Sequence, residues 1–361
     1  MLSSFFLKGE MENMKIPVEI LKNAAYEILV GLGENPENAR TVSEILVRAD
    51  MRGISTHGTY LLNVISMRRE GGQITIPTEP EVVLDKEAVA VVDGKDGIGM
   101  VAANLALEIA TKKAEEYGVG MVLIRNANNV GCLGCYTQRA AENGKIAIMC
   151  SNAAPAMAPW GAAEKFLGTN PIAISIPAKS VNFTADMATS VVARGKIREA
   201  LRNGKSIPDN WAMDPEGRPT TDPAKALEGS LMPIGGPKGS SLAMAVDIIS
   251  GVLAGSGYGN KLKSFHVLEG PTGVGASCIV IDVSHFMDVE SFKEMMENYF
   301  NMVKNLKKAQ GVEEIFIPGE IEYRKEKKSL EEGVEISDKL AGSLNELLKK
   351  VGSNLRIIDE N

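Results

Sequence analysis

Val119-Gly120-Met121-Val122-Leu123-Ile124-Arg125-Asn126-Ala127-Asn128-Asn129-Val130-Gly131 is the stretch on which the reading of the fold turns. Its first six residues form an apolar run of strand length, and a helical pattern follows over 131–142. Residues 146–150 again read as a strand. Upstream, a strand over 88–92 leads into a helix over 100–117, with Gly118 as its C-cap. Strands alternating with helices predict an α/β body.

Further out, residues 172–176 and 182–186 predict a hairpin around Ala178-Lys179-Ser180. Helices are expected over 189–203 and 240–253, and a strand over 279–283. Both ends read differently. Pro17 opens a helix with Ile20, Leu21, Ala24, Ala25 and Ile28 on one face, and Gly31 ends it. Asn35 caps a second helix with Pro36 at its first position, and a third runs through Leu61, Val64 and Ile65. The tail is helical over 289–306, 320–328 and 339–351. The expected division is 14–75 and 289–361 as one helical domain built from both ends, around an α/β domain over 76–288.

At 361 residues and 44% apolar content, the chain can bury a large core. Its net charge of −7 argues against binding to nucleic acid or anionic membranes. No apolar run reaches the roughly 18–20 residues of a membrane span. Four cysteines in a chain this long form no disulfide framework and point to a reduced, cytoplasmic setting. Residues 1–13 read as a ragged leader, with Met14 as a candidate natural start.

Gly97-Ile98-Gly99-Met100-Val101-Ala102 matches a dinucleotide fingerprint, but the acidic residue expected roughly 20 positions on falls inside the same helix. A structural turn is the better reading. Gly235-Gly236-Pro237-Lys238-Gly239 offers a lysine and free N–H groups at a helix start, which suit a phosphate as well as a surface turn. Asp186-Met187-Ala188-Thr189-Ser190 ends a strand, where Asp186 could bond a ribose or cap a helix. Cys132-Leu133-Gly134-Cys135 is a single C-x-x-C pair, either a redox pair or two small packing residues. No second pair accompanies it, so no metal site is expected.

These blocks, with Gly168-Thr169-Asn170-Pro171 and Pro318-Gly319-Glu320, resemble the type-2 malate/L-lactate dehydrogenase family in order and spacing from about Ile16 to Leu348. The resemblance implies a non-Rossmann, mixed-sheet nicotinamide-binding domain, NAD or NADP as cofactor, a small-molecule substrate and a homodimer. It implies cofactor contacts from Ala153, Thr169, Asn170, Asp186, Met187, Ala188, Lys238, Gly239, Gly319 and Glu320. It also places Ser55, Leu61 and Ser240 at the substrate pocket, with the loop Ser55-Thr56-His57-Gly58 approaching the substrate.

Three positions depart from the family. Asn129 stands where the family has the proton-transferring His, Leu61 where an Arg pairs with a substrate carboxylate, and Ser240 where a Tyr forms a wall. An amide can donate and accept hydrogen bonds but cannot act as a base. Arg68 and Arg69 lie about two helical turns beyond Leu61, too far for direct replacement. His57 becomes the candidate acid/base, with Asn129 orienting the reacting atom; His266 and His285 read as structural or solvent-facing. Two alternatives accompany this reading. One is a cofactor-binding paralogue with little catalysis. The other is a cyclic-imine reductase, whose substrate brings its own proton.

Overall fold

The computed structural model describes residues 13–357, so all of the leader expected over residues 1–13 except Asn13, which begins β1, lies outside the described residues. The chain runs through β1 (Asn13–Ile16), α1 (Val18–Gly31), α2 (Pro36–Met51), α3 (Leu61–Glu70), β2 (Glu81–Lys86), β3 (Val89–Asp93), α4 (Gly99–Tyr117) and β4 (Val119–Ala127). There follow α5 (Leu133–Glu142), β5 (Lys145–Ser151), β6 (Ile172–Ile176), β7 (Phe183–Met187), α6 (Arg194–Arg202), β8 (Ala212–Met213), α7 (Pro223–Glu228) and β9 (Ser230–Leu231). Then come α8 (Pro237–Asp247), a π-helical stretch (Ile248–Leu253), β10 (Val274–Asp282), α9 (Val289–Lys304), α10 (Glu320–Glu332), β11 (Val334–Ser337) and α11 (Asp338–Lys350).

One seven-stranded mixed sheet, ordered β2-β3-β4-β10-β5-β6-β7, organises the molecule. Only β3 and β4 pair in parallel; every other neighbour in that sheet is antiparallel. It therefore lacks the run of parallel strands of a doubly wound dinucleotide fold. Helices α4 and α5 cover one face, and α8 with its π-helical extension packs against β10, β4 and β5. On the outer side of α4 and α5 lies the helical layer. α1, α2 and α3 share one continuous apolar core with α4, α5 and α11. β1 pairs antiparallel with β11, so the two ends of the described chain close on each other. α10 and α11 return to α2, α1 and α3, whereas α9 packs on the β6–β7 hairpin through Phe300, Phe183 and Ala178.

The local signals account for most boundaries. Asn35 Oδ1 accepts from Asn38 N at 2.9 Å, and Gly118 adopts φ +80° to end α4. The helix expected over 189–203 forms only as α6. Thr189 and Val191 instead donate their N–H groups to Thr169 O at 2.8 Å and Met232 O at 2.9 Å, which holds this segment extended.

The dinucleotide-like fingerprint is a structural turn. A Cβ on Gly99 would lie 2.3 Å from Asn128 O and 2.6 Å from Asn129 O. Thr78 Oγ1 already occupies the start of α4, accepting from Ile98 N at 3.0 Å. Gly99→Ala should therefore cost about 1–3 kcal/mol through overpacking. Gly342→Ala, in α11 with nothing within 4 Å of the added Cβ, should gain about 0.5–1 kcal/mol. Scanning calorimetry showing Gly99→Ala as stable as the parent would contradict this packing.

Candidate active site

The first turn of α5 is where the candidate residues meet. Its early N–H groups have no intrahelical partner. Asp186, at the end of β7, fills this need from across the sheet: Oδ2 accepts from Gly134 N at 2.8 Å and from the Cys132 thiol at 3.3 Å. Asp186 thus caps a helix, though not the one that follows it in sequence. Asn129 lies in the loop just before α5, which begins at Leu133. Its Oδ1 accepts from Gly131 N at 2.8 Å, which leaves Nδ2, a donor, for other partners.

The loop carrying His57 comes from the opposite side. Asp50, in the last turn of α2, is 7% exposed. Its Oδ2 accepts from Thr59 N at 2.8 Å and Thr59 Oγ1 at 2.7 Å, while Oδ1 is buried without a partner. A Cβ on Gly58 would meet Asp50 Oδ1 at 1.8 Å, so only glycine allows this approach. Burial pushes the Asp50 carboxyl up to about 6, against the pull of the Thr59 bonds. Ser55 and Thr56 are exposed on the loop; His57 is half-buried, its Nδ1 3.0 Å from Thr56 Oγ1. Burial lowers the His57 pKa, and the charge of Asp186 partly opposes that shift.

A cavity of 380 Å³ opens beside this junction, lined by Arg52, Gly134, Asp186, Met187, Gly319 and Glu322 among others. Met187 and Phe316 are exposed apolar surfaces there, and Arg52 Nε is buried without a partner. The apolar ledges suit a flat base, and the carboxylates of Asp186 and Glu322 are able to accept from ribose hydroxyls. Gly319 adopts φ +90° against Thr184, whose N–H donates to Pro318 O at 2.9 Å. Ala188 is half-buried beyond Met187, and Lys238 is exposed in the first turn of α8, with Gly239 buried behind it.

Several expected site residues are occupied by the protein itself. Glu320 turns inward: its carboxylate binds Lys304 and Arg324 at 2.7 Å each and accepts from Ile317 N at 3.1 Å. Glu322, not Glu320, lines the cavity. Asn170 ties two segments together, accepting from Ala153 N at 3.1 Å and donating to Ala243 O at 2.9 Å. Thr169 gives its carbonyl to Thr189. Leu61 is 1% exposed and belongs to the apolar core. Ser240 is buried, its Oγ accepting from Trp160 N at 2.9 Å. Cys132 is a buried free thiol, and its bond to Cys135 and burial hold its pKa well above the usual range, which disfavours the thiolate a redox pair needs. Among the described residues no acidic, histidine or cysteine cluster could hold a metal.

Sequence reasoning missed Asp50 and Arg52. The available signal was an acidic residue one turn beyond Leu46, continuing the apolar stripe of α2.

A family model described as malate/L-lactate dehydrogenase matches residues 16–345. L-sulfolactate dehydrogenase of Methanocaldococcus jannaschii is 40% identical, with 92% of this chain and 96% of the relative covered. The solved sulfolactate dehydrogenase structure from that organism superposes with a TM-score of 0.89, covering 95% of this chain and 98% of the other. Ureidoglycolate dehydrogenase (NAD(+)) of Escherichia coli K12 is 35% identical, covering 90% of this chain and 93% of the relative. The chain belongs to the malate/L-lactate dehydrogenase family, whose members are NAD(P)-dependent dehydrogenases and reductases acting on small hydroxy acids.

Proposed function

We propose that this protein transfers hydride between NAD or NADP and a small hydroxy or oxo compound, with His57 moving the proton and Asn129 binding the reacting oxygen. The observation that carries this reading is the convergence at α5. A buried carboxylate fixes the loop bearing His57, the charge of Asp186 acts on His57, and Asp186 caps α5 just after the loop that carries Asn129. The cofactor would lie along Asp186, Met187, Ala188 and Gly319, with Lys238 toward its phosphates. When bound it supplies or accepts the hydride at nicotinamide C4.

The remaining chemistry belongs to the chain. Burial keeps the His57 imidazole neutral at pH 7, so its free ring nitrogen can accept the proton of a substrate hydroxyl. The Thr56 hydroxyl lies at Nδ1 and serves either tautomer; when it accepts from Nδ1–H, the Nε2 lone pair is free for the substrate proton. Asn129 Nδ2 donates to the same oxygen but takes no proton. An imine substrate would demand less of His57, since it already carries the proton; this keeps cyclic-imine reduction as a second reading.

Exposed Leu242, Met244, Ile248, Val252 and Leu253 make an apolar face along α8 and the π-helical stretch, which supports a homodimer. The free, buried cysteines accord with a reducing, cytoplasmic setting. No helix among the described residues is long and apolar enough to cross a membrane.

Calorimetric titration with NADH and NADPH should show binding of at least one, and binding of neither removes the reading. With a panel of 2-hydroxy and 2-oxo acids, oxidation should rise as pH climbs through the lowered His57 pKa and reduction should fall. His57→Ala should lose about 10²–10⁴-fold in kcat. Full activity in His57→Ala, with cofactor bound, would leave the protein active but remove His57 as the acid/base. Binding without turnover of any panel member would favour the silent paralogue.

Asp50 gives a separate test. Its folded pKa of about 6 lies above the ordinary value of 3.8, so its contribution to stability is fully present below that ordinary value. The contribution is lost as pH rises through about 6. The Tm of the parent relative to Asp50→Asn should therefore fall between acid and neutral pH; a constant difference would contradict the raised pKa.

A further inference from the structure

Arg68 is the most costly side chain in this region. It is fully buried, and its guanidinium donates to Phe265 O at 3.3 Å, Val267 O at 2.9 Å, Gly270 O at 2.8 Å and Gln73 O at 3.0 Å. It also stacks on the Phe265 ring, 5.3 Å from the centroid. A buried charge is tolerated only when so engaged. Arg68 therefore cannot replace the family arginine at Leu61; its hydrogen bonds are spent shaping the loop through residues 265–270.

That loop presents His266. Its ring lies 6.3 Å from the Tyr60 ring, next to the His57 loop, and makes no hydrogen bond to any described residue. α6 approaches the same place. A Cβ on Gly195 would sit 4.0 Å from Thr56 Cγ2, and Arg198 follows three residues later on the same helix face. α6 is held by buried Ile197 and by Arg194, which donates to Leu227 O at 2.9 Å. Arg198 itself is exposed and makes no hydrogen bond or ion pair with any described residue. Burial first, and then the charges of Arg198, His57 and Arg68, lower the His266 pKa; α6 at Gly195 and the His266 ring thus both lie against residues 56–60.

The geometry points to Arg198 and His266 as the anion-recognition pair of the substrate site, receiving the carboxylate or sulfonate of a small hydroxy or oxo acid. The inference rests on the dehydrogenase reading of this site and deepens it. A planar guanidinium with free donors matches a carboxylate or sulfonate, and a neutral imidazole supplies one further N–H. Leu61 provides no charge at the family position, whereas Arg198 reaches the cleft from another element. The same chemistry could serve a cofactor phosphate, but the pair lies beside the His57 loop, not among the residues lining the cavity at Gly319.

The test is calorimetric titration of tartronate, a small hydroxy dianion, and of its dimethyl ester, with and without NADH or NADPH. Arg198→Ala should weaken tartronate binding about tenfold or more, the loss of a charge-assisted contact. His266→Gln should weaken it less, Arg198→Lys should retain part of the affinity, and the ester should bind none of the proteins. Cofactor affinity should change by less than about twofold in each variant. Tartronate binding that is unchanged in both Arg198→Ala and His266→Gln would overturn the pair. So would parent protein that binds the ester as tightly as the acid, or variants that lose cofactor binding instead. Because the readout is binding, a parent without turnover would count against the catalytic reading alone, while Arg198-dependent tartronate binding would still support the pair.

Discussion

The carboxylate of Asp186 joins the last strand of the sheet to the first turn of α5, and the site depends on that bond. A backbone N–H at a helix start needs an acceptor, and the positive end of the helix favours a negative one. By accepting from Gly134 N, Asp186 fixes β7 against α5. It also accepts from the Cys132 thiol, whose pKa is raised by the hydrogen bond to Cys135 and by burial first and by Asp186 only in smaller part. Its charge also reaches His57, where it works against burial and keeps the imidazole from losing its basicity altogether. One side chain thus acts on the strand end, a thiol and the basicity of the candidate proton carrier.

Much of the fold was legible because it is local. Asn35 before Pro36, Gly118 after a long apolar helix, and the alternating texture from residue 88 onward each act within a few residues. What was not legible is long-range. Nothing in the sequence places β10 between β4 and β5, or pairs β1 with a strand near the other end. These pairings are set by which apolar faces meet once the helices exist. The π-helical stretch after α8 was equally hidden, since it differs from an α-helix only in how its backbone bonds close.

The candidate site shows a parallel limit. The resemblance grouped Asp186, Met187 and Gly319, and these three line one cavity. It could not show that Glu320 and Asn170 satisfy their polar atoms within the protein. Glutamate and asparagine serve structure and ligand with the same atoms, and only three-dimensional partners separate the two uses. Asp50 illustrates the converse. An acidic residue on an apolar helix stripe looks like a local inconsistency until Thr59 and the bare Gly58 are seen around it. His266, with no motif near it, sits on a loop held by the hydrogen bonds of Arg68 together with those of Gln73 and Ser264.

Leu61 makes the altered pocket intelligible as physics, not only as loss. At 1% exposure in a continuous apolar core, this position holds a side chain that gains from burial. A guanidinium there would require a buried partner or would have to leave the core. The leucine thus couples two consequences: the helical layer packs more completely, and the cleft loses its cation on α3. Any acid substrate must then be held from elsewhere, because an uncompensated carboxylate in a half-buried site carries a large desolvation cost. α6 and the loop through residues 265–270 both approach the segment around His57, α6 at Thr56 and His266 at Tyr60. On the reading proposed above, the positive charge comes from the exposed helix α6 and not from α3. An exposed guanidinium on α6 is reached through water and adapts to acids of different length, whereas a buried one reads a single geometry.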